Sequence, residues 1–190
     1  MQTINLLDYL KDTKALLTGH FLLTSGRHSD MYIEKFRVLE NPDSLNHVCH
    51  AMAEIVKKDK IDLVIGAAIG GILVSGGVGR YLKKKHIFTE RVKEKMELRR
   101  GFSIKSKERV VIVEDIVTTG GSVFELVELV ETYDAEIIHI INLVDRSQIK
   151  LDFGYPTTSL LKMPGQDWAP SECPLCKDGK PLKQRGRTGK

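Results

Sequence analysis

The densest chemistry in the chain lies in twelve consecutive residues, Val111-Ile112-Val113-Glu114-Asp115-Ile116-Val117-Thr118-Thr119-Gly120-Gly121-Ser122. Hydrophobic residues carry the chain through a core and deliver two adjacent carboxylates, Glu114 and Asp115, at the end of the run. A loop rich in hydroxyls and glycines follows and opens a helix. Glycines let backbone N–H groups approach an anion closely, and a helix N-terminus adds a favourable dipole. Thr118, Thr119 and Ser122 supply further donors. The combination suits a phosphate monoester, and the paired carboxylates suit the vicinal hydroxyls of a ribose, with Mg2+ nearby on a pyrophosphate. A bare acid–glycine–serine loop reads better as a capped helix after a buried strand, with the two acids solvated at its rim; the full twelve-residue pattern reverses that balance towards phosphate. No Gly-x-x-x-x-Gly-Lys-Ser/Thr loop occurs, and Gly70-Gly71 lacks the spacing of a dinucleotide site.

These twelve residues resemble the phosphoribosyl pyrophosphate (PRPP) motif of the type I phosphoribosyltransferases. Four further segments narrow the resemblance. Gly19-His20-Phe21-Leu22-Leu23-Thr24-Ser25-Gly26-Arg27-His28-Ser29 is similar to the N-terminal hood of the orotate phosphoribosyltransferases. Ala67-Ala68-Ile69-Gly70-Gly71-Ile72 resembles their PRPP-contacting loop. Ile87-Phe88-Thr89-Glu90-Arg91 with Leu98-Arg99-Arg100-Gly101-Phe102 resembles their mobile catalytic loop and its flank. Leu143-Val144-Asp145-Arg146 matches a strand end whose arginine approaches orotate.

The resemblance implies transfer of ribose 5-phosphate from PRPP to orotate, with Mg2+ as cofactor, by a homodimer with shared sites. It assigns the PRPP to Glu114, Asp115, Ile116, Val117, Thr118, Thr119, Gly120, Gly121 and Ser122, to Gly70 and Gly71, and to Arg91 and Lys95. It assigns orotate to Thr118, Arg146, Ser25, Gly26 and Tyr32, and the catalytic roles to Arg91, Lys95 and Asp115. Lys93, Arg99 and Arg100 compete for the loop roles. The chain departs from many members in carrying Thr24 and Gly70 where they carry lysine. It also lacks one lysine and the histidine of their mobile loop.

The elements that must position these groups follow from periodicity. Residues 4–17 suggest an opening helix and residues 19–39 short hood strands. A helix capped by Asp43 or Ser44 carries Leu45, Val48, Cys49, Met52, Ile55 and Val56 on one stripe, with Cys49 in the core. Three apolar runs, from Ile61, Arg109 and Glu136, alternate with helices, one of which ends near Lys83-Lys84-Lys85. That alternation predicts an α/β fold with a parallel central sheet flanked by helices and a small hood. Each run ends in chemically useful residues, where ligands of such sheets sit. The expected organisation is one domain over 1–176, with the hood about 1–40 plus 150–176 and the core about 44–148. A basic flexible tail is expected over 177–190.

At 190 residues, 42% hydrophobic and 28% charged, the chain suits a soluble globular protein. Six of its 29 basic residues and one of its 25 acidic ones fall after Cys176, leaving 23 and 24 in the preceding 176. The body is therefore near neutral, which speaks against a nucleic-acid surface. No secretory signal or membrane span is apparent, and three cysteines argue against a disulfide framework. A cytoplasmic location is expected. Cys173-Pro174-Leu175-Cys176 is a single Cys-x-x-Cys with no second pair following. The expectation is an exposed turn or a redox-neutral pair, the alternative a metal shared across a dimer or borrowing His47 or His50. His20 and His28 are expected at the surface or in hydrogen bonds, His139 in the core, and Trp168 packing the C-terminal strand. Two other readings are a regulator of this fold that binds PRPP or RNA, and an enzyme acting on another base.

Overall fold

The computed structural model describes residues 6–23, 25–93 and 95–185. Its elements run α1 (Leu6–Asp12), β1 (Leu16–Leu22), β2 (His28–Ile33), α2 (Phe36–Leu39), α3 (Pro42–Val56), β3 (Leu63–Ala67), α4 (Gly70–Leu82) and β4 (Lys85–Val92). They continue as β5 (Lys95–Leu98), β6 (Arg109–Val117), α5 (Gly121–Thr132), β7 (Glu136–Asp145), β8 (Thr157–Lys162), β9 (Asp167–Trp168), α6 (Pro174–Lys177) and β10 (Lys183–Gln184).

The central sheet has the order β5-β4-β3-β6-β7-β8. All its pairings are parallel except the β4–β5 hairpin at one edge. Strand β6 is apolar on both faces because both faces are covered. Val111 and Val113 pack with Val48, Met52, Val74 and Val78 of α3 and α4. Val110 and Ile112 pack with Val123, Leu126, Val127 and Val130 of α5. At about 1.5–3 kcal/mol per fully buried aliphatic side chain, these two layers outweigh any single polar contact in setting the strand order. The α/β architecture expected from alternating runs is therefore the one present.

A second sheet, β10-β1-β2-β9, forms a hood. Strands β1 and β2 pair antiparallel from Leu16↔Ile33 to Leu22↔His28, and β2 pairs with β9 through His28↔Trp168. Trp168 thus joins the C-terminal strand to the hood hairpin.

Several boundaries differ from the sequence expectation. The opening helix stops at Asp12, where Thr13 Oγ1 donates to the Tyr9 carbonyl (2.8 Å) and Lys14 turns left-handed (φ 53°). Leu16 and Leu17 alternate in β1 instead of extending a helical stripe, because Ile33 and Tyr32 offer them a strand partner. Helix α3 is capped by Asn41, not Asp43 or Ser44: its Oδ1 accepts from the Ser44 amide (3.1 Å) and hydroxyl (2.9 Å), with Pro42 at the first position. Helix α4 ends at Leu82, Lys83 adopts the left-handed conformation, and Lys85 already belongs to β4. Segment 87–91, read as loop, lies within β4. Its strand character is masked because only Ile87 and Thr89 are buried. Cys49 is fully buried, and burial pushes its thiol up to about 12, as a core residue requires. His139 is half-buried with its Nε2 2.9 Å from Thr158 Oγ1.

Candidate active site

The crevice lies beyond the carboxyl ends of β3, β6 and β7. Glu114 and Asp115, 6% and 1% exposed, are held by local backbone. Glu114 Oε1 accepts from the Asp115 amide (3.0 Å), and Asp115 Oδ1 accepts from the Ile116 amide (2.6 Å). Burial, then the neighbouring Asp115 charge, push the Glu114 carboxyl far above the ordinary carboxylate range. Asp115 has a partner that motif reading did not supply. Lys35, at the start of α2, places Nζ 2.9 Å from Asp115 Oδ1 and 2.7 Å from Oδ2. The sequence gives little warning of this, since Lys35 lies 80 residues away in an unremarked Glu-Lys-Phe turn.

Thr118 and Thr119 are exposed at the end of β6, and Ser122 is half-exposed in the first turn of α5. Gly120 caps that helix in the left-handed conformation (φ 81°), where a Cβ would come within 2.9 Å of Phe153. The position needs glycine on both counts. The loop therefore presents hydroxyls and free helix N-terminal amides to the crevice, the arrangement that binds an anion. Ile116 and Val117 contribute backbone: Val117 is buried and its carbonyl accepts from the Arg146 amide (2.8 Å).

Gly70 and Gly71 begin α4 on the other side of β6. A Cβ on Gly70 would stand 1.5 Å from Asp115 Oδ2 and 3.4 Å from Lys35 Nζ. Only glycine lets the carboxylate and its lysine occupy that space. Gly71 packs directly on the backbone of Gly66.

Arg146 follows β7, one strand over from the acidic pair. Its Nη2 donates to the Met31 carbonyl of the hood (3.4 Å), while its buried Nε has no hydrogen-bond acceptor among the described residues. Burial lowers the pKa of this guanidinium, opposed by the charges of Asp167 and Asp30. Tyr32 lies close enough to feel Arg146 and Arg185, although burial and Glu34 raise its phenol overall. Its ring packs on Phe21 at 5.7 Å between centroids. A half-buried cation with an unused planar donor, beside a tyrosine and a strand edge, can receive a planar, anionic, oxygen-rich ring.

Ser25 and Gly26 sit in the exposed β1–β2 turn, where the Gly26 amide donates to the Leu23 carbonyl (2.9 Å); Thr24 lies outside the described residues. The expected catalytic cations lie on the β4–β5 hairpin. Arg91 is in β4 and ion-pairs with Glu125 of α5 (2.8 Å), while Lys95 is exposed at the start of β5. Arg100, a competitor, is held bidentately by Glu90 (2.9 Å each). Glu114, Asp115, the 118–122 loop, Gly70 and Arg146 thus converge on adjacent strand ends, and Arg91 and Lys95 lie on the β4–β5 hairpin next to β3.

Comparison with known proteins bears on this crevice. The phosphoribosyl transferase domain family matches residues 37–175. An orotate phosphoribosyltransferase of Caldicellulosiruptor bescii is 45% identical over 176 residues, 93% of each chain. The chain belongs to the orotate phosphoribosyltransferase family. One of Thermotoga maritima is 44% identical over 182 residues, covering 96% of this chain and 97% of its own. Among solved structures, the orotate phosphoribosyltransferase of Aeropyrum pernix superposes with a TM-score of 0.73 at 26% identity, covering 83% of this chain and 93% of that one.

Proposed function

We propose that this chain transfers the ribose 5-phosphate of PRPP to orotate, giving orotidine 5'-monophosphate and pyrophosphate in pyrimidine nucleotide synthesis. The observation that carries the reading is the adjacency of two complementary half-sites. The Glu114–Ser122 segment suits a phosphorylated ribose, and Arg146, with a buried donor unused among the described residues, suits an anionic base.

In this reading, the 118–122 loop and the α5 amides hold the 5-phosphate, and the acidic pair holds the ribose hydroxyls. Arg146, Tyr32 and the Ser25–Gly26 turn orient orotate so that its ring nitrogen faces the anomeric carbon. The nitrogen–carbon bond forms as the bond from that carbon to the pyrophosphate oxygen breaks, and the proton that the ring nitrogen gives up leaves with the pyrophosphate. Lys35 pairs with both oxygens of Asp115 and holds the side chain in place. It reaches, from the hood side, the space where resembling chains carry a lysine in place of Gly70.

Mg2+ would sit on the pyrophosphate, with Asp115, paired with Lys35, offering the hard oxygen donors nearest it, while Glu114, its carboxyl raised by burial, would hold a ribose hydroxyl. When bound, Mg2+ supplies charge neutralisation on the departing pyrophosphate. Arg91 and Lys95, on the projecting β4–β5 hairpin, would serve the site of a second subunit. The exposed Phe36, Ile69, Leu73 and Tyr81 suit an apolar contact between two copies. We also assign the hood to β1, β2, β9 and β10 and the core to the six-stranded sheet; the expected 150–176 hood segment is corrected, because β8 belongs to the core sheet and the hood runs past residue 176 to Gln184. No helix among the described residues is long and apolar enough to cross a membrane, and none of the three cysteines is in a disulfide, which suits the cytoplasmic reading.

The test offers PRPP and Mg2+ with orotate, adenine, uracil or xanthine in turn. Nucleotide should form with orotate alone. Transfer to another base, or PRPP binding without transfer, would replace the reading.

A further inference from the structure

Behind the hood, four side chains converge that the crevice does not use. His20 of β1, His28 of β2, and Cys173 and Cys176 around α6 each point one ligand atom inward, and these atoms all lie within 4.8 Å of one another. His20 Nε2 is 3.0 Å from His28 Nδ1, 3.5 Å from Cys173 Sγ and 3.7 Å from Cys176 Sγ. Cys176 Sγ is 3.2 Å from His28 Nδ1. Around a tetrahedral zinc, with Zn–N about 2.0–2.1 Å and Zn–S about 2.3 Å, neighbouring donors stand roughly 3.3–3.8 Å apart. These four spacings, 3.0–3.7 Å, lie within a few tenths of an ångström of that range.

The protonation state points the same way. His20 Nδ1 lies 2.9 Å from the Lys180 carbonyl, which can only accept, so Nδ1 carries the proton and the Nε2 lone pair faces the cluster. A backbone carbonyl fixing the tautomer in this way is the usual support of a metal-bound histidine. That lone pair is surrounded by three other donor atoms, and protons alone could satisfy only one of those approaches. His20, His28 and Cys173 are 2%, 5% and 0% exposed, so water cannot relieve the crowding. A divalent ion with two thiolates and two neutral imidazoles is electrically neutral, which lets the set stay buried.

We propose that His20, His28, Cys173 and Cys176 form a structural zinc site that pins the C-terminal turn to the hood hairpin. Four protein ligands leave no open position, so the ion is structural, and the sulfur–nitrogen set selects zinc over Mg2+. The sequence expectation of an exposed Cys-x-x-Cys turn is corrected accordingly. Cys173 is fully buried, and the missing ligands come from a hairpin about 150 positions upstream, not from His47 or His50. Because His28 opens the strand that carries Met31 and Tyr32, the ion would also steady the wall against which Arg146 rests.

The test is metal binding by the full chain, purified under reducing conditions, stripped with a chelator and titrated with Co2+. We expect one equivalent per chain, with visible bands of tetrahedral Co2+ and thiolate charge transfer, and stoichiometric displacement by Zn2+. Cys176→Ser, at an exposed position, and His28→Ala should abolish those bands, whereas Cys49→Ala should keep them. Restoring Zn2+ to stripped protein should raise its melting temperature by more than about 5 °C. Folded wild-type protein that takes up no Co2+, or a band unchanged in Cys176→Ser, would overturn the site. Neither readout depends on transferase activity.

Discussion

At the crevice, the groups that matter come mostly from one stretch, Glu114 to Ser122, placed by a strand buried on both faces and the helix that follows it. In the hood, the comparable knot of polar side chains is gathered from two short strands and a four-residue helix about 150 positions apart. The first region inherits rigidity from the two hydrophobic layers around β6. The second has strands of two residues at each edge, β9 and β10, and little apolar cover of its own. Small elements with thin cores commonly need a covalent or metal staple. Function at the crevice should therefore fail by losing contacts to substrate, and at the hood by losing order.

The widest separation between the regions is expected from Glu114→Ala/Asp115→Ala. Turnover with PRPP should fall by at least about 10³-fold, the scale of removing several preorganised polar contacts. Co2+ binding by the hood should stay at the wild-type level in the same preparation. Near-normal turnover in the folded double variant would remove the acidic pair from the mechanism.

Arg146 stands where the regions meet, its amide on Val117 and its guanidinium on Met31. Arg146→Ala should raise the orotate KM by about 10–100-fold, as loss of a charged hydrogen bond predicts, and change the PRPP KM by less than about threefold. A change confined to PRPP would move Arg146 to the other half-site.

How far each region could be read from sequence follows the same division. The β6–α5 segment announces itself because strand, acids, loop and helix are contiguous, so its chemistry survives as a linear pattern. Gly70 was legible as part of a loop, but its reason, an Asp115 oxygen in the space of a Cβ, is a tertiary fact. Lys35 and the histidines of the hood were not legible, because pairing over 80 and about 150 residues leaves no spacing to recognise. The β4–β5 hairpin was obscured for another reason: an edge strand with two buried residues has too little apolar alternation to separate it from loop.

A smaller effect probes the strain that burial imposes on the acidic pair. The Glu114 carboxyl titrates far above its unfolded value of about 4.5. An acid raised in the folded state favours folding below the unfolded pKa, and this contribution is lost as pH rises towards the folded pKa. Glu114→Gln keeps an oxygen for the Asp115 amide and carries no charge. It should match the wild-type melting temperature near pH 5 and exceed it by a few degrees, roughly, at pH 8. Equal melting at both values would mean that Glu114 is not buried at this cost.

The least effect is expected at the far end of the chain, and it depends on where the cut is made. The segment after Cys176, expected as a basic tail, is tied to the hood over part of its length. Lys183 and Gln184 pair with Phe21 and Leu22 of β1, and Lys180 offers the carbonyl that orients His20. Residues 186–190 lie outside the described structure. Ending the chain after Arg185 removes two basic residues but leaves β10 and the His20 contact in place. Orotate transfer should then stay within about threefold at moderate salt, where the Debye length of about 8–10 Å limits what two added charges can contribute. Ending it after Cys176 keeps all four metal ligands yet removes β10 and the Lys180 carbonyl. That protein should bind Co2+ more weakly and melt earlier, with the orotate KM rising before the PRPP KM, since the base half-site leans on the hood. If the two truncations behave alike, the hood owes nothing to its last strand. If the shorter cut raises only the PRPP KM, the basic residues act on the crevice through charge and not through the fold.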